Sequence, residues 1–224
     1  SNRKFLFDVT CPNNIFTRNE KSFTALHIAS NESYIDIGAA HGDTVTQFYT
    51  ASGGRYESIT AFEPDSVNYQ YLNLLGESLP NTSCHCAGLS NQNNVIPFYE
   101  TPENRFGSRF DKNSSKNLPY REVNVVKLDD IIERATILKI DVEGHECKVL
   151  EGGQAIIKDQ KPSMYISGYH FPQDLINIVD LVRNIYSYEN VAIRHFSHNI
   201  YDTNILFSTK QSFLPQWSIN SVFV

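Results

Sequence analysis

Two short apolar segments in the second half of the chain lead into side chains that can exchange protons. Asp141 and Glu143 end the first segment, and Tyr169 and His170 follow the second. Because the unperturbed pKa of histidine lies near neutral pH, we predict that His170 acts as a general base toward a hydroxyl. Asp141 would orient that hydroxyl, Glu143 would contact the same substrate, and Tyr169 would pack against it.

The same residues allow other interpretations. Asp141, Glu143 and His170 carry oxygen and nitrogen atoms that Mg²⁺ or another divalent ion could bind, but their spacing does not require an ion, and we predict no metal. Asp141 could instead cap the following helix, and Glu143 could stabilise that helix through its dipole. His170 could be the entry residue of the next helix. The sequence leaves these alternatives open.

A glycine turn lies much earlier in the chain. The segment from Ser33 to Ile37 has the short, largely apolar composition of a buried parallel strand, and an amphipathic segment from Thr44 to Ser52 follows the glycines. In open α/β sheets, ligands bind at the carboxyl ends of strands, and the first such turn is the usual place. Asp36 would lie at the rim of the pocket, and an exposed position at the helix start is the alternative for His41. The predicted cofactor-binding residues of this turn are Asp36, Gly38, Ala39, His41 and Gly42.

The next two predicted strands support a nucleoside ligand. The second strand ends in Glu63 and Pro64, where a carboxylate can accept hydrogen bonds from two ribose hydroxyls of a ligand held over the glycine turn. The third strand, residues 82–89, ends in Gly88 and Leu89, small or apolar positions against which an adenine could lie. An ordinary strand exit is the alternative for this last pair.

The glycine spacing helps to choose between nucleoside cofactors. The dinucleotide fingerprint G-x-G-x-x-G is absent, because three other residues separate Gly38 from Gly42. Close approach to a pyrophosphate usually relies on the missing glycine, which weakens the case for NAD. S-adenosylmethionine has no pyrophosphate, so a looser turn is sufficient.

Five motifs occur in an order that resembles a known family, the FkbM family of S-adenosylmethionine-dependent methyltransferases. The resemblance covers roughly Tyr34 to Phe207, with Ala40 where many members have asparagine. The motifs are Asp36-Ile37-Gly38-Ala39 with Gly42-Asp43-Thr44, Ala61-Phe62-Glu63-Pro64-Asp65, Leu128-Asp129-Asp130-Ile131, Leu138-Lys139-Ile140-Asp141-Val142-Glu143-Gly144, and Ile166-Ser167-Gly168-Tyr169-His170 with Asp174-Leu175 and Arg194-His195.

The resemblance implies a fold, a cofactor and a reaction. The fold would be the Rossmann-like class I methyltransferase fold, an α/β three-layer sandwich with a mostly parallel seven-stranded sheet and an antiparallel terminal strand. The reaction would be transfer of a methyl group from S-adenosylmethionine to a hydroxyl of a sugar, glycan or similar small molecule, and Asp141 could balance the sulfonium charge. The alternatives are an NAD(P)-binding oxidoreductase and a nucleoside-binding module without catalysis.

One long stretch, Thr101 to Glu122, has no clear secondary-structure pattern. It is basic in an otherwise acidic chain. Long loops within compact domains are often lids or binding loops, and a mobile surface loop is the alternative. We predict that Arg105 or Arg109 contacts an anionic or sugar substrate.

The remaining elements complete a single predicted domain. Residues 1–30 would form an N-terminal extension with a helix over Asn19 to Ala29, residues 31–208 the core, and residues 209–224 a tail without a clear period. The helix that Pro64 opens would direct Val67, Tyr71 and Leu74 inward. The last two strands would form an antiparallel pair, through which a homodimer is possible.

Composition limits the classes of partner. The 224 residues are 41% hydrophobic and 20% charged, and the net charge of −6 argues against broad nucleic-acid binding. We see no apolar run long enough to cross a bilayer and no apolar signal-peptide core after Ser1, although the chain could be part of a longer protein. The four cysteines lack metal-type pairing and fit a reducing compartment, so we expect a cytoplasmic protein.

Overall fold

The centre of the protein is a sheet of eight strands. The computed structural model describes residues 6–8, 26, 28–101, 105–110, 118–195 and 202–209, and only the backbone at Leu6–Asp8 and Arg105. The strands are β1 (Leu6–Asp8), β2 (Ser33–Ile37), β3 (Ser58–Phe62), β4 (Thr82–His85), β5 (Gly88–Leu89), β6 (Asn94–Tyr99), β7 (Tyr120–Val126), β8 (Ile137–Ile140), β9 (Ser163–Ser167), β10 (Asn190–His195) and β11 (Thr203–Ser208). The helices are α1 (Asp43–Ala51), α2 (Ser66–Ser78), α3 (Leu128–Ile131), α4 (Glu146–Gly152), α5 (Gln154–Gln160) and α6 (Asp174–Ile185), with a 3₁₀ turn at Arg105–Gly107.

The main sheet is mostly parallel, as predicted. Its strand order is β1-β10-β11-β9-β8-β2-β3-β4, and a second sheet has the order β5-β7-β6. The last strand, β11, is antiparallel to both β10 and β9, whereas every other pairing in the main sheet is parallel. The predicted seven-stranded, mostly parallel sheet with an antiparallel terminal strand is confirmed, and the short β1 adds an eighth strand at one edge.

Helices cover both faces of this sheet. Side chains of β2 and β8 alternate between the faces, so that Ile35 and Leu138 pack toward α4, α5 and α6, whereas Tyr34 and Ile137 pack toward α1 and α2. Both faces are buried, which is why these strands are almost continuously apolar in sequence. The result is the predicted three-layer sandwich.

The inward face of α2 differs from the prediction. Asp65 caps the helix by accepting hydrogen bonds from the backbone N–H groups of the second and third residues after it. The buried positions are Asn68, Leu72 and Gly76, while Tyr71 is 56% exposed and was predicted to point inward. Leu74, also predicted inward, is exposed, and Val67 is half-buried. Gly76 helps to determine which face of α2 packs on the sheet, because a Cβ at this position would lie only 2.5 Å from Sγ of Cys84 on β4.

Two other predicted elements need correction. The third strand is not continuous over residues 82–89, because β4 ends at His85 and Gly88–Leu89 pairs with β7 in the second sheet. The stretch from Thr101 to Glu122 is not wholly irregular, since β7 already begins at Tyr120.

Several predictions fall largely outside the described residues. The predicted helix over Asn19 to Ala29 is described only at Leu26, Ile28 and Ala29, where the chain is not helical. The tail after residue 209 lies outside the described residues. No helix in the described part of the chain is both long and apolar enough to span a membrane.

Candidate active site

The strand order brings the predicted site residues to one edge of the sheet. Strands β9, β8, β2 and β3 are consecutive neighbours in the sheet, and all of them are parallel to one another. Their carboxyl ends therefore form one row, which carries His170, Asp141, the glycine turn and Glu63 in that order. This is the edge at which open α/β sheets bind ligands.

Tight packing explains the two glycines of the turn. Gly38 has a φ of 78°, and a Cβ there would lie 1.9 Å from the carbonyl oxygen of Asp141. Gly42, at the cap of α1, has a φ of 89°, and its Cβ would lie 2.4 Å from the side chain of Leu75. The N–H groups of Gly38 and Ala39 both donate to the carbonyl of Phe62, at 3.0 Å. The glycines thus hold the turn against β8, β3 and α2 at once.

Asp36 does not lie at the rim of the pocket. Its side chain is fully buried beneath the turn, where it forms an ion pair with Nζ of Lys139 at 3.1 Å. Its second oxygen accepts hydrogen bonds from the hydroxyls of Tyr34 at 2.8 Å and Thr44 at 2.5 Å. Nζ of Lys139 also donates to the carbonyl of Gly38. The physical reason for the correction is that a buried lysine needs a buried counter-ion, and Asp36 is adjacent in register on β2.

Glu63 is a buried carboxylate at the tip of β3. Its Oε2 accepts a hydrogen bond from the N–H of Ala40 at 2.8 Å, and its Oε1 accepts one from the N–H of Asp65 at 2.7 Å. Burial raises its pKa from 4.5 to about 7, against the lowering effect of these two bonds. A carboxylate offers about four lone-pair positions, so capacity remains for two vicinal hydroxyls. The residue fits the predicted ribose-binding role.

Three aromatic rings lie beside the glycine turn. The exposed ring of His41 lies 4.7 Å from that of Tyr71 and 4.9 Å from that of Phe106, between ring centroids, and its Nε2 is 3.0 Å from Oδ1 of Asn68. His41 therefore holds the exposed position that sequence analysis gave as the alternative. Because these rings border the turn, they can still flank a bound nucleoside.

Gly88 and Leu89, the two residues predicted to contact an adenine, lie in different environments. Leu89 is a core residue, with 1% exposure, and its side chain does not face the sheet edge. Gly88 is covered by Phe110, since a Cβ on Gly88 would lie 2.6 Å from Cζ of that ring. The physical reason is that both residues belong to β5 of the second sheet, which turns Leu89 inward. Phe110, which sequence analysis missed, is the ring available at this position.

His170 lies within a group of carboxylates. Its Nε2 is 3.5 Å from Oδ1 of Asp141 and 3.5 Å from Oε1 of Glu143, while its Nδ1 is 3.0 Å from Oε1 of Glu146. Burial alone would lower the pKa of His170, but Glu143, Glu146 and Asp141 outweigh burial and raise it to about 10. An imidazole with that pKa already holds its proton at neutral pH. A protonated imidazole cannot accept a proton, so this raised pKa argues against the predicted general-base role of His170 in the free protein.

Helix geometry removes the purely structural alternatives for these residues. Helix α4 begins at Glu146 with His145 at its cap, so Asp141 does not cap it and Glu143 is not in its first turn. Helix α6 begins at Asp174, four residues after His170. Asp141, Glu143 and His170 are thus held at the sheet edge by loops.

Glu146 shapes the loop that carries Asp141 and Glu143. It is buried, and its Oε1 accepts hydrogen bonds from the N–H groups of Val142 at 3.0 Å and Gly144 at 3.3 Å. Glu143 has a φ of 55°, and Gly144 a φ of 94°. A non-glycine residue in the left-handed region is uncommon and often marks a functional loop. Sequence reasoning missed Glu146, although an acid two residues after Gly144 was the available signal.

Arg109 reaches the same group of residues from the second sheet. Its Nη2 lies 3.9 Å from Oε2 of Glu143, and its backbone pairs with Tyr99 at the end of β6. The side chain of Arg105 lies outside the described residues. Arg121, which was not singled out from sequence, donates to the carbonyl of Pro64 and forms an ion pair with Glu100 at 2.9 Å.

Tyr169 extends the row toward β11. It is half-buried, and its ring centroid lies 4.3 Å from that of His170. Burial, together with the charges of Asp141, Glu143 and Asp202, raises the pKa of its hydroxyl well above the usual value. The phenol therefore stays neutral and can donate a hydrogen bond.

The sheet order, with its antiparallel last strand, is that of the class I methyltransferase fold. A family model described as the methyltransferase FkbM domain matches residues 36–197, well over half of the chain. The chain belongs to this FkbM methyltransferase family, and its cofactor is S-adenosylmethionine. This membership removes the nicotinamide-dependent alternative. No curated protein matches the chain.

Several solved structures resemble this chain to different degrees. A methyltransferase FkbM from Methylobacillus flagellatus KT is 23% identical, with a TM-score of 0.68, over 84% of this chain and 48% of that chain. The present chain thus spans about half the length of that protein. A precorrin-6y C5,15-methyltransferase from Geobacter metallireducens GS-15 is 10% identical, with a TM-score of 0.49, over 83% of this chain and 82% of that one. Aeropyrum pernix fibrillarin, with natively bound S-adenosyl-L-methionine, is 12% identical, with a TM-score of 0.49, over 81% and 69%.

Proposed function

We propose that this domain transfers a methyl group to a hydroxyl oxygen of a sugar, glycan or similar polyhydroxylated small molecule. The observation that carries the proposal is the carboxylate group at the tip of β8, on the same sheet edge as the glycine turn and Glu63. When bound, S-adenosylmethionine supplies an electrophilic methyl group on a positively charged sulfur. The cofactor would be held by the glycine turn, by the carboxylate of Glu63 and by the rings beside them.

The residues of the tip supply what a hydroxyl nucleophile needs. Asp141 and Glu143 would accept hydrogen bonds from the hydroxyl and so orient its oxygen. A carboxylate oxygen would take up the proton as the oxygen displaces the neutral thioether from the methyl group, so that the O–C bond forms while the S–C bond breaks. His170, held by Glu146, fixes the positions of both carboxylates. Tyr169 packs against the acceptor and donates a hydrogen bond from its neutral phenol.

The charge at this edge supports a neutral acceptor. The carboxylates of Asp141, Glu143 and Glu146 lie close together around His170, and Arg109 pairs with Glu143. The phosphates of a nucleic acid would be repelled by such a group in a chain of net charge −6. Sugar hydroxyls can donate to carboxylates and accept from arginine, so they suit the same surface.

The remaining proposals concern compartment and assembly. Cys84, Cys86 and Cys147 are free thiols, which supports a reducing compartment such as the cytoplasm. A homodimer formed by pairing of the terminal strands has less support, because β1 already pairs with the outer edge of β10.

Transfer of a labelled methyl group to a panel of acceptors tests the proposal. We expect O-methylated products from saccharide acceptors, located by mass spectrometry, and none from ribosomal RNA or from proteins. Asp141→Asn should lower kcat by about 100-fold or more, as loss of a positioned base does, whereas Asp159→Asn, at an exposed position on α5, serves as the control. Methylation of RNA or protein instead of saccharides would contradict the acceptor class.

A further inference from the structure

Asp141, Glu143 and His170 each direct one potential ligand atom into the same small space. These atoms all lie within 4.8 Å of one another. We propose that the three residues form a binding site for one divalent cation, with Mn²⁺ preferred over Mg²⁺. The cation site is a property of these side chains, and only its role in activating a hydroxyl rests on the proposed function.

The distances within the group favour a shared ion over direct hydrogen bonds. Nε2 of His170 is 3.5 Å from a carboxylate oxygen of Asp141 and equally far from one of Glu143. Hydrogen bonds between nitrogen and oxygen are normally 2.7–3.2 Å long, and charge-assisted ones are shorter still. Adjacent ligands of one octahedral ion lie about 3.0–3.6 Å apart when the metal–ligand distance is about 2.1–2.5 Å. The observed spacing thus fits a central ion.

The inward-facing atoms contact one another only at distances longer than an ordinary hydrogen bond. Oδ1 of Asp141 and Nε2 of His170 are buried, and no aligned hydrogen bond to either atom occurs among the described residues. The side chain of His170 is only 7% exposed, so solvent does not compensate its ring nitrogen. Buried polar atoms with only distant partners are poorly satisfied, and a bound ion would satisfy both atoms at once.

A second group of carboxylates lies on the other side of the imidazole but is already engaged. Glu146 accepts two backbone hydrogen bonds from the loop after β8, and Oδ2 of Asp174 accepts one from the N–H of Phe171 at 2.7 Å. Glu146 also lies 3.0 Å from Nδ1 of His170. Metal-bound histidines usually direct their second ring nitrogen toward such a carboxylate, which fixes the tautomer and the ring. The ligand-binding side is therefore that of Nε2, whose proton a bound cation would displace.

The chemistry of the three ligands indicates the ion. Mg²⁺ prefers oxygen ligands alone, whereas imidazole suits the transition metals and carboxylates suit Mn²⁺. The side chains of Asp141 and Glu143 are 32% and 25% exposed, so one side of the site stays open to water or to a hydroxyl. A bound cation would favour ionisation of that hydroxyl. Each carboxylate would use one oxygen for the ion and keep the other.

Electron paramagnetic resonance with Mn²⁺ tests the proposal without any need for catalysis. We expect the chelator-treated wild-type protein to bind one equivalent saturably, with hyperfine coupling to the nitrogen of a single imidazole. Asp141→Asn and Glu143→Gln should each weaken Mn²⁺ binding by at least about tenfold, and Glu146→Gln by about 10- to 100-fold. Asp159→Asn is the matched control and should bind like the wild type.

Three results would overturn the cation site. They are the absence of saturable binding at millimolar Mn²⁺, binding without nitrogen coupling, and equal binding by wild type, Asp141→Asn and Glu143→Gln. The nitrogen coupling is read on the wild type, so a variant that fails to fold does not spoil the test. Calorimetry of S-adenosylhomocysteine on the same sample separates the two proposals, because cofactor binding without Mn²⁺ binding would remove only the cation site.

Discussion

Replacing Glu63 with glutamine is expected to change how the stability of the protein depends on pH. Burial raises the pKa of Glu63 to about 7 in the folded protein, while the unfolded chain has the ordinary value of 4.5. Between these two values the folded state binds more protons than the unfolded state, so stability falls as the pH rises from 4.5 through 7. The ionised carboxylate is the form that can bind a ribose, and its burial is the cause of this loss.

The magnitude follows from the two pKa values. At pH 5 the raised pKa of Glu63 lowers the free energy of unfolding by roughly 1 kcal/mol, and at pH 8 by roughly 3 kcal/mol, so the pH-dependent difference is on the order of 2 kcal/mol. Glutamine has one acceptor oxygen, so the N–H of Ala40 or Asp65 loses its partner in Glu63→Gln, which costs about 1–3 kcal/mol at every pH. The pH-dependent part of the difference between the two proteins is therefore the quantity to measure.

Urea denaturation of both proteins at pH 5 and pH 8 provides this quantity. The wild type should lose on the order of 2 kcal/mol relative to Glu63→Gln between the two pH values. Glu122→Gln, at an exposed position on β7, controls for the removal of one carboxyl group. Parallel behaviour of wild type and Glu63→Gln at both pH values would refute the claim that Glu63 is a desolvated carboxylate.

Three further predictions follow from single contacts. Gly38→Ala places a Cβ against the carbonyl of Asp141 at a φ of 78°, and should lower the free energy of unfolding by more than about 2 kcal/mol in urea denaturation. Arg109→Ala breaks a partly exposed ion pair and should therefore alter the free energy of unfolding by less than about 1 kcal/mol. The same variant should raise the KM for the acceptor in steady-state kinetics. An unchanged KM would contradict the substrate-binding role of Arg109. Burial raises the pKa of the Cys84 thiol to about 11. Iodoacetamide at neutral pH should therefore label the exposed Cys86 before Cys84, as judged by peptide mass spectrometry. The reverse order would contradict the burial of Cys84.

The row of site residues was predictable because parallel strands place their carboxyl ends at one edge. Glu63, Asp141 and His170 each follow a short apolar segment, and a polar residue in that position lies at the edge whatever the strand order. The register of neighbouring strands is not contained in such a pattern. The distances between the site residues and the shifts in their pKa values depend on contacts between segments that are distant in sequence, so they could not be predicted.

The error at Asp36 had a signal in the sequence. Lys139 is the charged residue inside an otherwise apolar strand, and a lysine in such a strand requires a buried acidic partner. Asp36 occupies the matching position of β2, directly opposite in register. Pairing the two strands would have moved Asp36 from the pocket to the core.

The second sheet was missed for a different reason. Val123 and Val125 are buried and Asn124 is exposed between them, which is the alternation of a strand with one covered face. That signal is only a few residues long and follows a stretch with basic and polar residues. Its consequence is functional, because the segment between β6 and β7 carries Arg109 and Phe110 to the sheet edge.

Calorimetry of S-adenosylhomocysteine tests the central claim most directly. The wild type should bind one equivalent saturably, NAD should not bind, and Glu63→Ala should lose most of the affinity, because the ribose hydroxyls lose their carboxylate acceptor. Absence of S-adenosylhomocysteine binding to the folded wild type would contradict the account, as would equal affinity in Glu63→Ala.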